Sequence, residues 1–299
     1  MERNAELGGF LRARRSRLRP EDAGLPPGPG ARRVPGLRRE EVARLAGVST
    51  DYYTRLEQGR HPRVSRAVLD AVADALRLDD VERGHLHDLV RATSGSHRSR
   101  AQSAPHVPRV RPAVHQMLDV FDDVSPVLVV NHRRDVLASN HLARALLTDF
   151  EALPHRERNL ARFVLLDPAA RELYRDWDTV ARNFVHLLRL TSGSHPDDRQ
   201  LNELIGELCV KVPEFGAWWD SRQVHQCTHG DEHFHHPVVG DLTLQHENLV
   251  LPADPDQEIC LYTAQPGTYA AESLRLLASW ASPTSPSGSP TDARHDRSR

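Results

Sequence analysis

The chain has little of what marks a secreted, membrane-spanning or cofactor-dependent protein. Its 299 residues include three cysteines, Cys209, Cys227 and Cys260, with no C-x-x-C pair. That is too few and too scattered for a disulfide framework, and it suits reduced thiols in the cytoplasm. No apolar run approaches the roughly 18 residues a membrane helix needs, so no membrane partner is expected. The start, MERNAELGGFLRARR, has no apolar core of a signal peptide. P-loop, dinucleotide-binding, G-x-S-x-G and H-E-x-x-H patterns are all missing, so no cofactor and no catalytic residue is expected. Lysine is nearly absent, Lys211 being the single instance, so arginine carries the positive charge.

The near-neutral total of -2 conceals an asymmetry. Residues 1–66 hold 15 arginines against 8 acidic residues, which leaves the remainder strongly acidic. A basic first module on an acidic chain suits contact with a polyanion, although a solvated arginine-rich face has the same composition.

Hydrophobic spacing predicts five short helices in the first 92 residues. They begin with 6–18, where Leu7, Phe10, Leu11 and Leu18 share a side, and are interrupted by the Pro/Gly-rich loop 21–36. Residues 93–111 are rich in Ser, Pro and Arg and read as a linker, and 281–299 as a disordered tail. Between them, 112–280 is mixed. PVLVVN and DVLASN are strand candidates, and 169–190 reads as one long helix. RQVHQC, HFHHPVVG, DLTLQHENLVL and EICLYTA alternate with period two. The expected architecture is an all-α helix-turn-helix domain at 1–92, followed by an α+β domain at 112–280. Its antiparallel sheet should have about five strands.

The informative segment is LRREEVARLAGVSTDYYTRLEQGR, residues 37–60. One helix ends at Ala46, Gly47 turns, Val48 fills the angle, and Ser49 caps the next helix. Val42, Ala46, Val48, Tyr53 and Leu56 then face inward, leaving Thr50, Asp51, Thr54 and Arg55 outside to read base edges. Arg55 can grip guanine in a bidentate pair, and Thr50 can touch a thymine methyl. Asp51 either accepts from a cytosine amine, repels wrong sites, or simply suits a helix N-terminus. Arg38, Arg39, Ser49, Arg60, Arg63 and Arg66 are phosphate candidates, each also readable as ordinary surface. Arg32 and Arg33, in the loop, add backbone contacts or solubility. The L-A-G-V-S core (Leu45 to Ser49), Tyr53 and L-E-x-G (Leu56, Glu57, Gly59) resemble the XRE/phage-repressor helix-turn-helix. One such helix reads few base pairs, so a homodimer on two-fold symmetric double-stranded DNA is expected.

Residues 135–147, 159–181, 236–244 and 262–268 resemble the ligand-binding domain of the MmyB-like transcription regulators. The resemblance implies a PAS-like fold and a pocket for a fatty acid or another small apolar ligand. Phe163, Trp177, Phe184, Trp218 and Tyr262 are candidate walls, and Asn140, Arg162 or His186 candidate anchors for a carboxylate head. Plain core or surface is the other reading for each. His225, His229, His233, His235 and His236 cluster within twelve positions. Within them HGDEH, residues 229–233, reads as a polar hairpin turn rather than a metal site, although His233 and His235 share a strand side. Two other readings stay open: a C-terminal domain that only dimerises or recruits partners, and an enzyme fused to a DNA-binding module.

Overall fold

The structure, a computed structural model, describes residues 2–25, 36–60, 64–93, 109–226 and 228–281. Arg32, Arg33, Arg63, Cys227, most of the expected linker and nearly all of the expected tail lie outside them.

The N-terminal part is α1 (Glu2–Arg17), α2 (Arg39–Leu45), α3 (Thr50–Glu57), α4 (Arg66–Ala75) and α5 (Asp80–Thr93). Leu7, Phe10 and Leu11 of α1 meet Val42, Tyr53, Leu56, Val72 and Leu86 in one buried cluster. Ser49 and Ser65 cap α3 and α4 by accepting from the backbone N–H groups of Tyr52 and Val68. Gly47 takes a φ of +66° in the turn between α2 and α3, a conformation that costs a side-chain-bearing residue.

The C-terminal part begins with α6 (Pro112–Val120), β1 (Val127–Asn131), β2 (Val136–Ser139) and α7 (His141–Leu146). There follow α8 (Leu160–Leu166), α9 (Pro168–Leu173), α10 (Trp177–Ser194), α11 (Arg199–Lys211) and α12 (Phe215–Asp220). β3 (His229–His236), β4 (Gly240–Leu251), β5 (Asp254–Thr263) and α13 (Tyr269–Ala281) complete it. The five strands form one antiparallel, PAS-like sheet in the order β2-β1-β5-β4-β3. β1 is buried throughout because both faces are covered. Leu128 and Val130 enter the large core with α7, α8 and α10, whereas Val127 and Val129 pack on Val114 and Leu118 of α6.

Two expectations need correction. The helix read over 169–190 breaks at Tyr174–Asp176. There the chain bridges to the edge of β3, Tyr174 pairing with Phe234 and Arg175 N–H donating to His233 O at 3.0 Å. Sheet-edge hydrogen bonding overrides a helical pattern that no Gly or Pro interrupts. RQVHQC forms no strand over its described residues. Val224 is buried instead in the N-terminal cluster, together with half-buried Leu190 of α10.

That shared cluster joins the two parts, and charges surround it. Glu6 of α1 pairs with Arg189 of α10 and with Arg222, the latter at 2.9 Å. Arg14 donates to the Arg222 carbonyl at 2.9 Å and pairs with Glu82 at 2.7 Å. A Cβ on Gly193 of α10 would lie 2.6 Å from the His85 ring of α5, so only glycine permits this helix crossing.

Candidate nucleic-acid interface and ligand cavity

Thr50, Asp51 and Arg55 of α3 are exposed, as is the cap Ser49, and Thr54 is half-buried. This is the outward face the sequence predicts, set by the burial of Val42, Tyr53 and Leu56 behind it. Arg55 and Asp51 pair at 2.8 Å across one helical turn. Such an exposed pair contributes about 0.3–0.5 kcal/mol, so a guanine edge can displace the carboxylate. Thr54 Oγ1 donates to the Thr50 carbonyl at 2.7 Å, one helical turn back.

Of the expected phosphate contacts, Arg38 is exposed and 3.5 Å from Glu40, Arg60 is exposed, and Arg66 lies 4.0 Å from Asp70. Arg39 differs. Its guanidinium donates to Glu57 Oε1 at 2.9 Å and its side chain is 43% exposed, so it braces α2 against α3 as well as facing outward.

Glu57 is the acceptor at the centre of this module, its side chain fully buried. Arg15 of α1 donates to Oε2 at 2.8 Å and to Oε1 at 3.1 Å, and Arg12 lies 3.8 Å away. Burial alone raises a carboxyl pKa, but the Arg15 and Arg39 guanidiniums outweigh it and hold Glu57 below the usual range. In the sequence Glu57 stands out only as part of the L-E-x-G pattern.

The C-terminal part contains a partly open cavity of about 300 Å³ between α10 and the sheet. Val180, Phe184 and Leu187 of α10, with Leu160, Cys260 and Tyr262, make its apolar wall. Glu232, His246 and Arg134 supply polar groups. A larger space of about 740 Å³ is an open groove along β3 and β4, lined mainly by polar residues such as Arg175, Asp241 and Gln245. The smaller one has the features of a small-molecule site.

Of the eight expected ligand residues, Phe184 and Tyr262 line this cavity. The other six have different work. Asn140 caps α7, accepting from the N–H groups of Val127 and Ala143 and donating to Ser125 O. Arg162 pairs with Glu207 on α11. Phe163 packs edge-on to Phe150 in the core. Trp177 donates to Val164 O at 2.8 Å, lies under the Arg171 guanidinium, and leans on Trp218. His186 is buried on another side of α10. Desolvation first, then the nearby His225, Arg182, Arg14 and Arg17, push its pKa down to about 4.

HGDEH is not a turn but the start of β3. Residues 229–236 are a strand whose inward positions, Glu232, Phe234 and His236, alternate with exposed His229, His233 and His235. His233 meets Thr243 Oγ1, His235 meets Asp241, and His236 meets Ala145 O, so the rings diverge to separate partners. His132, His195 and Asp256 come closer together elsewhere. The two imidazoles stack at 4.3 Å with planes 17° apart, so their in-plane lone pairs run side by side rather than converging on one ion.

A helix-turn-helix with an outward α3, fused to a PAS-like domain holding a largely apolar cavity, defines a DNA-binding transcription regulator with a ligand-binding domain. The family model described as the MmyB-like transcription regulator ligand binding domain matches residues 110–277, more than half the chain, and a helix-turn-helix domain model matches residues 6–86. The chain belongs to the MmyB-like transcription regulators. Both matched families are regulator domains rather than enzymes. No curated protein sequence matches the chain. No helix among the described residues is long and apolar enough to cross a membrane.

Proposed function

We propose that the protein is a one-component regulator in which a small, largely apolar molecule in the 300 Å³ cavity alters DNA binding by α3. One observation carries this reading: α10 belongs to both sites. Phe184 and Leu187 line the cavity, while Arg189, Leu190 and Gly193, on the same helix, engage α1 and α5 of the DNA-binding module. A rigid helix moved by an occupant at one end displaces its contacts at the other. The fatty acid implied by the family resemblance is one occupant of suitable body. The test is to footprint the protein on genomic fragments, then measure operator affinity with and without the molecules extracted from the native protein. A shift in affinity supports the reading; indifference to every extract would refute it.

Thr50, Asp51, Thr54 and Arg55 are proposed to read bases, and Arg38, Arg39, Arg60 and Arg66 to meet phosphate. Arg55→Ala is expected to relax preference at one base pair by about 1–3 kcal/mol. Arg60→Ala should instead weaken all sequences alike and lower the salt slope by about one. Binding-site selection on both variants checks this, and equal effects on every sequence would count against the assignment. A homodimer is proposed as the binding species, with exposed Leu276 and Trp280 of α13 as candidate contacts. Sedimentation should give a dimer that Trp280→Glu shifts toward monomer. A wild-type monomer protecting one asymmetric half-site would contradict it.

A further inference from the structure

The polar end of the cavity indicates what kind of head group it takes. Glu232 projects from the inward side of β3 into the cavity wall. Its Oε1 lies 3.6 Å from His246 Nδ1. Its Oε2 is buried and has no hydrogen-bond partner among the described residues. An ionised carboxylate is an acceptor with about four lone-pair positions, and leaving one buried without donors is costly. Desolvation pushes this carboxyl up to about 7, as a group short of positive partners requires.

The other charges around the cavity do not relieve it. Asp176 and Asp231 also line the wall, adding negative charge near the opening. Arg134 is the guanidinium on the wall; its Nη1 pairs with Glu258 at 2.7 Å, and its Nε is buried with no hydrogen-bond partner among the described residues. His233 is turned to Thr243, and the pKa of His246 is lowered by burial, which favours its neutral form. Phe184 and Tyr262 line the same cavity. Aromatic rings near a carboxylate suit a cation.

Resting on the ligand-sensing reading above, we propose that the cavity takes an amphiphilic amine. Its apolar body lies against Val180, Phe184 and Leu187, and its ammonium group donates to Glu232. The ammonium supplies both donors and the missing counter-charge. An alkyl carboxylate brings a further negative charge beside three acidic side chains and offers Glu232 no donor.

The test is calorimetric titration of the full chain near pH 7.5 with octylamine, octan-1-ol and octanoate, which share a body and differ in the head. Octylamine should bind at least about tenfold more tightly than octanoate, with the alcohol between them. Glu232→Gln preserves shape and should remove most of that advantage. Octanoate binding as tightly as octylamine, or a preference unchanged in Glu232→Gln, overturns the head-group assignment while the ligand cavity stands. Binding of none of the three overturns the cavity reading and the amine with it. The wild-type comparison needs no variant, so it decides the matter even if Glu232→Gln folds poorly.

Discussion

Glu57→Ala is expected to destabilise the DNA-binding module by about 3–5 kcal/mol, the usual cost of removing one partner from a buried ion pair. The carboxylate is wholly buried, and Arg15, which it satisfies twice, is itself mostly buried. Removing the acceptor strands that guanidinium against Leu37 and α1, where it still donates to the Leu37 carbonyl at 2.7 Å. Because Arg39 loses the same partner, α2 and α3 lose a brace together. Operator affinity should therefore fall along with stability, although Glu57 touches no DNA. Urea denaturation followed by circular dichroism measures the first effect, and titration of an operator fragment the second. Glu57→Gln keeps an acceptor oxygen and should lose less. A change under about 1 kcal/mol in Glu57→Ala would show that the network is only peripheral.

Mild acid should destabilise the protein through His85 while its carboxylates, the buried Glu232 apart, are still largely ionised. The His85 ring is buried at the junction of α1, α5 and α10, edge-on to Phe10 and against Gly193 and Leu89. Neither ring nitrogen has a hydrogen-bond partner among the described residues. Desolvation first, then the Arg14 charge, push its pKa down to about 4. The unfolded chain takes up that proton near pH 6.5 and the folded chain does not. The stabilisation is complete above about 6.5 and is lost as pH falls toward 4, on the order of 3 kcal/mol in all. Glu57, with its lowered pKa, adds a further loss only at more acidic pH. Denaturation midpoints at about pH 7 and pH 5 should differ for the wild type and differ less for His85→Leu. Equal pH dependence in the two proteins would remove His85 from the account.

The helix-turn-helix was readable because its constraints are local. A glycine turn, a serine cap and apolar positions within 24 residues fix which side of α3 faces out. What surrounds Glu57 was not readable, because its arginine partners come from 18 and 42 positions away. Asn140 could have been found: an asparagine immediately before HLARALL is a helix-cap signal, which argues against a ligand anchor. Glu232 was missed because HGDEH looks like a turn. Extending the period-two pattern back from Phe234 puts Glu232 on the buried face. The break between α9 and α10 left no local mark, since the competitor for those backbone groups is the edge of β3, some 60 positions later.

The seating of Val224 among residues 7–90 has a consequence for synthesis. The interior of the DNA-reading half is closed by a side chain translated more than a hundred residues after α5, and the Arg14 bond to Arg222 spans 208 positions. Contacts so distant along the chain form late, whatever the order in which their partners leave the ribosome. The half that is made first is thus finished last. A product truncated after its first ninety residues carries the operator-reading helix without the plug that completes its core. Such a prematurely ended chain is expected to hold its DNA-binding helix less stably than the full-length regulator does.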